Sequence, residues 1–126
     1  MHHVFYFNGD ADNISWAIQT DNSIVRQNRI HVEIYKNKIT DIQSKYVALH
    51  VGLFWGIGVF IIKNKDSMKI MLDEKIMYDH FTSHKKIEDE FIMEKMRFIK
   101  QLIMERKLKI KFQVINPDEN LSMKST

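Results

Sequence analysis

The chain has 126 residues, 44% of them apolar, with one proline and four glycines. That is room for one domain and one core, with too few breakers for a disordered chain. The lack of cysteine excludes a disulfide framework, a thiolate metal site and a cysteine nucleophile, while a net charge of +3 permits nucleic-acid contact without requiring it.

The start, Met1-His2-His3-Val4, has neither a basic region nor a long apolar stretch. No secretion signal is read there, and a cytoplasmic location is expected. Residues 4–7 are apolar on both parities, as in a central strand covered on both faces. A turn at 9–13 leads to a second strand at 14–20. After Asp21-Asn22-Ser23, the alternation of Ile30, Val32 and Ile34 predicts a third strand over 29–35. Short connections make these three an antiparallel meander.

Residues 46–62 are almost uninterrupted apolar sequence between Lys45 and Lys63. A membrane span needs about 20 such residues; this run is shorter, includes His50 and is divided by Gly52, Gly56 and Gly58. The residues before Gly56 suit a helix. Val59-Phe60-Ile61-Ile62 is β-branched and aromatic, which predicts a buried strand after a glycine turn. The expectation is therefore helix, turn and strand, with no membrane.

Met68, Leu72 and Ile76 at four-residue spacing predict a short helix over 66–77. The stripe Ile92, Met96, Ile99 and Ile103 predicts a longer one over 87–106. Acidic residues open that helix and Arg106 and Lys107 close it, matching the helix dipole. Residues 107–115 alternate with period two as a last strand, and Pro117 ends it.

The joints of this pattern resemble the ribonuclease H family over nearly the whole chain. The family opens with a strand ending in aromatic-Asp-Gly; here it reads Phe7-Asn8-Gly9. Its first helix carries Glu-Tyr-x-Ala-Leu-x-x-Gly-Leu, matched by Lys45-Tyr46-Val47-Ala48-Leu49-His50-Val51-Gly52-Leu53. Its next strand ends in an Asp-Ser pair opening a helix, for which Asp66-Ser67 is the match. A final Asn is followed four residues on by an Asp; here Asn120 is followed by Lys124. The resemblance implies one α/β domain over 1–126, with a five-stranded mixed sheet of three antiparallel strands and then two parallel ones. It also implies that the usual C-terminal helix is lacking. Phe5 and Phe7, or Val4 and Tyr6, are then expected to be uncovered on one face, favouring a partner or self-association.

The chemistry departs from the family. Its members hydrolyse the RNA strand of RNA–DNA hybrids with two Mg²⁺ ions held by four carboxylates, and a hard cation needs anionic oxygen ligands. Position by position those carboxylates become Asn8, Lys45, Asp66 and Lys124, of which only Asp66 is acidic. The expectation is no catalysis and no metal cofactor, with the Lys45 ammonium paired to Asp66. The alternative is an active ribonuclease H using Mg²⁺ or Mn²⁺ on replacement ligands from Asp10, Asp12 and Glu33. A hairpin turn, which calls for residues of Asp, Gly and Asn type, is the stronger account of Asp10 and Asp12.

Lys45, Lys63, Lys65 and Lys124 are expected to line a positive groove for the phosphates of a hybrid or duplex. Lys107, Lys109 and Lys111 share one parity of the last strand. A plain solvated lysine face, with a protein partner instead, is the competing account. His80 and His84 have i, i+4 spacing but lack the flanking Glu of a metalloprotease helix. Trp16 and Trp55 read as core.

Overall fold

In the computed structural model, which describes residues 1–83 and 86–123, three strands lead. They are β1 (His2–Gly9), β2 (Asn13–Thr20) and β3 (Ser23–Ile30). A two-residue turn joins β2 to β3, with Asp21 in the left-handed region at φ 54°. At the β1–β2 turn Asp10 Oδ1 accepts hydrogen bonds from the N–H of Asp12 (2.9 Å) and Asn13 (2.8 Å). The meander is therefore as expected, but its third strand lies at 23–30 and not 29–35. Residues 33–39 are turns, and Ile30, Val32 and Ile34 are 60–71% exposed. Their alternation faces no core. The tight turn after Thr20 sets the register first, and an edge strand can be as polar as Ser23–Ile30.

The helix α1 (Asp41–Gly58) starts at a capping box in which Gln43 N–H donates to Thr40 Oγ1 and Thr40 N–H to Gln43 Oε1. It buries Tyr46, Val47, Leu49 and Leu53 on β1 and β2. Gly52 allows the close approach: a Cβ there would come within 2.6 Å of Phe5 and 2.9 Å of Trp16. The strand expected at 59–62 does not form. These residues wrap back over the helix end, where the N–H groups of Ile61 and Ile62 both donate to Gly56 O at 3.0 Å. Phe60 takes the left-handed exit at φ 66°, and Ile62 returns to the core. Among the described residues no helix is long and apolar enough to cross a membrane.

The fourth strand, β4 (Ser67–Leu72), occupies half of the expected helix at 66–77. Met68, Ile70 and Leu72 are buried on the core side and Met71 on the other, while Ser67 and Lys69 are half-buried, so Met71 interrupts the alternation that marks a strand. Two helices follow, α2 (Lys75–Thr82) and α3 (Glu90–Glu105), and then β5 (Lys109–Val114). Asp89 caps α3 by accepting from the Ile92 N–H at 3.1 Å, and the stripe Ile92, Met96 and Ile99 is buried as expected.

The sheet order is β3-β2-β1-β4-β5, with β4 and β5 parallel to β1 and the rest antiparallel. Phe5 and Phe7 are fully buried in the core with α1, so they are not the uncovered pair. Val4 and Tyr6, on the other face, are half-buried. Two 3₁₀ turns, Pro117–Glu119 and Leu121–Met123, follow β5, and the second packs on β1 and β2.

Candidate functional site at the end of the central strands

Phe5 of β1 pairs with Ile70 of β4, and continuing that parallel register by three residues sets Asn8 beside Asp73. Both stand where the two central strands end, at the C-terminal edge of the sheet. Gly9 lies directly under Ser44, which seats the first turn of α1 against the end of β1. His31 Nε2 holds that turn from outside, 2.7 Å from Ser44 Oγ and 3.1 Å from Asp10 O. Lys45 follows Ser44 and is thereby aimed at the strand ends.

Its Nζ lies 3.1 Å from Asp73 Oδ1 and 3.0 Å from Glu74 Oε1. Lys45 is 12% exposed and Asp73 only 3%, so this is a largely dry ion pair. Burial works against the ammonium, but the hydrogen bonds to Glu74 and Asp73 outweigh it and raise the Lys45 pKa. The other Asp73 oxygen is also taken: Asn120 Nδ2 donates to Oδ2 at 2.9 Å and to Phe7 O at 2.8 Å. Asn120 Oδ1 in turn accepts from the Ser122 N–H (3.0 Å) and hydroxyl (2.6 Å). Each Asp73 oxygen thus faces a protein donor.

The expected pair of Lys45 with Asp66 is not formed. Asp66 precedes β4, at the opposite end of the strand from Asp73; seven residues at about 3.3 Å each separate them by roughly 20 Å. There Asp66 accepts from the Lys63 N–H (2.9 Å), pairs with the Met1 amine (3.0 Å) and meets His3 Nε2 at 2.7 Å. Burial alone would raise its carboxyl; these hydrogen bonds and the nearby amine bring it down to about 2. Asp66 is a structural clasp, and the acid that ends the central strand is Asp73. The Asp-Ser match pointed to the wrong end of β4 because the strand itself was read as a helix.

The other expected residues scatter. Asn8 lines a cleft of about 180 Å³ with Asp10, Asn13, Ser15, Asn28 and Ser122. Asp10 caps its own turn, and Asp12 and Glu33 are exposed. Among the described residues no group of three or more His, Asp or Glu is placed to hold a metal. Lys63 and Lys65 stand with Asp66 at the far end of the sheet, so they share no groove with Lys45. Lys124, His84 and Lys85 lie outside the described residues. His80 Nδ1 meets the Tyr46 hydroxyl at 2.5 Å. The missed residues, Asp73 and Glu74, have one signal: they are the first acids after the stretch Met68–Leu72, which is apolar but for Lys69.

A five-stranded mixed sheet in this order, with its three helices, defines a ribonuclease H-like fold. Solved structures bear this out. The RNase H1 of the halophilic archaeon Halobacterium salinarum NRC-1 superposes with a TM-score of 0.77 at 15% identity, over 95% of this chain and 89% of that one. The N-terminal RNase H domain of a Mycobacterium tuberculosis protein gives 0.76 at 11% identity, over 94% and 85%. LC11-RNase H1 in complex with an RNA/DNA hybrid gives 0.69 at 15% identity, over 95% and 88%. No protein-family profile and no curated protein matches the sequence.

The residues at the strand ends do not fit a pair of divalent ions. A carboxamide stands at Asn8, an ammonium at Lys45, and both oxygens of Asp73 accept hydrogen bonds from protein groups. A cation there would have to displace Lys45 from a dry site.

Proposed function

We propose that this chain is a non-hydrolytic ribonuclease H-like module that binds nucleic acid, as a duplex or hybrid, through its phosphate backbone. The observation that carries the reading is the Lys45 ammonium on Asp73 and Glu74, at 3.1 and 3.0 Å. An internal cation neutralises the carboxylates that a metal would otherwise need, and it is covalently part of the chain. Catalysis by two metals requires anionic ligands around both ions, and the strand ends offer too few. Nucleic acid as partner is supported by the net charge of +3 and by the fold, whose LC11 representative was solved with an RNA/DNA hybrid. A chain free of cysteine suits the reducing cytoplasm.

Fluorescence anisotropy with a labelled RNA–DNA hybrid at low salt tests this reading. Binding is expected in EDTA, with no gain from added Mn²⁺ and without shortening of the RNA strand. Affinity that requires the metal would contradict it.

A further inference from the structure

The charges of this molecule are separated along the sheet. Asp10, Asp12, Asp41, Glu74, Asp118 and Glu119 gather at the end that holds Lys45, and all are exposed or at the rim. The opposite end, where β4 and β5 begin, is basic. Lys69 and Lys111 are direct neighbours in the β4–β5 register, and Lys109 pairs with Ser67 one step earlier on the same face. Their neighbours of opposite parity, Met68, Ile70, Ile110 and Phe112, pack into the core. The lysines therefore stand on the sheet face away from the helices. Lys65, Arg106 and Lys107 continue the patch around the strand starts, where the Lys65 N–H donates to Arg106 O at 2.8 Å.

Like charges on adjacent strands repel, and a strand pair gains nothing from them by itself. Among the described residues the ion pairs involve Met1, His3, Lys45 and Lys75, so none of these six cations is neutralised by a carboxylate. Lys65 and Lys107 also hold left-handed backbones, at φ 72° and 55°, which Gly or Asn adopts with less strain. Met71, the apolar residue on this face of β4, is buried, so no apolar side chain of β4 protrudes beside Lys69, Lys109 and Lys111. A polar, cationic surface without carboxylate partners among the described residues matches a row of phosphodiesters.

We infer that nucleic acid contacts this chain on the open face of β4 and β5, around Lys69, Lys109 and Lys111, and not at the strand ends that hold Lys45. The inference rests on the nucleic-acid reading above. It places the bound backbone about a strand's length from the Lys45–Asp73 pair, on the face away from α1.

The test is anisotropy with a 20-base-pair labelled hybrid over a salt series, using wild type, Lys109→Gln/Lys111→Gln and a site-end control, Lys36→Gln/Lys38→Gln. All four positions are exposed, so folding is preserved. The β5 variant is expected to bind at least tenfold more weakly, with the slope of log K against log salt reduced by about 2. The control is expected to match wild type. Wild-type-like binding by the β5 variant overturns the inference and leaves the binding-module reading standing. Absence of wild-type binding at low salt overturns that reading itself, and with it this surface. Capture by phosphatidylserine vesicles in place of nucleic acid overturns the inference as well.

Discussion

Lys45 Nζ and Asp73 Oδ1 are 3.1 Å apart at the meeting point of the two central strands and the first helix. The pair joins the first turns of α1 to the end of β4, so one side chain both ties two elements together and keeps a cation over the carboxylate. Breaking a dry pair by removing one partner strands the other charge without compensation.

Lys45→Glu is therefore expected to cost about 3 kcal/mol of stability in EDTA, because it sets three carboxylates together. It is also expected to create a cation site. Mn²⁺ should raise the Tm of this variant by several degrees and leave the wild type unchanged, as read by thermal melts with and without the ion. A wild type stabilised by Mn²⁺ would speak against Lys45 as the resident cation.

Asp66 predicts a pH dependence with a definite sign. Its folded carboxyl lies at about 2, below the usual 3.8. The stability it contributes is fully present above about 3.8 and is lost as the pH falls through about 2. Asp66→Asn should cost about 2 kcal/mol at neutral pH, since His3 loses a charged partner. Urea midpoints of variant and wild type should converge as the pH falls from 5 to 2. A constant difference across that range would remove Asp66 from the account.

Gly52 is expected to reject even one methyl group. A Cβ at that position would lie 2.6 Å from the Phe5 ring and 2.9 Å from Trp16, both fully buried. Gly52→Ala should cost about 2 kcal/mol despite the helix-favouring change, because overpacking there pushes α1 off the sheet. A more stable variant in chemical denaturation would contradict this packing.

The strands β1, β2 and β5 and the helix α3 are legible in the sequence, while β3, β4 and the end of α1 are not. Stripes on one side of a helix, such as Ile92, Met96 and Ile99, report their period because the other side is wet. In β4 Met71 interrupts the alternation, and Met68, Leu72 and Ile76 stand at helical spacing, so the segment reads as a helix and shifts the sought carboxylate from Asp73 to Asp66. At Val59–Ile62 an apolar run that merely folds back on Gly56 read as a strand. Asn8, Lys45 and Asn120 were found because their joints carry local patterns. Asp73 carries only its position after β4, which needs the strand pairing to be known.

The central claim is that Lys45 at Asp73 excludes metal-dependent hydrolysis, and the most direct measurement is cleavage itself. The unmodified protein is incubated with an RNA–DNA hybrid labelled on the RNA strand, in Mg²⁺ and in Mn²⁺, beside an Asp73→Asn variant. No cleavage above the variant is predicted in either metal. Cleavage by the wild type that disappears in Asp73→Asn would show that Asp73 still serves a metal and would contradict the account.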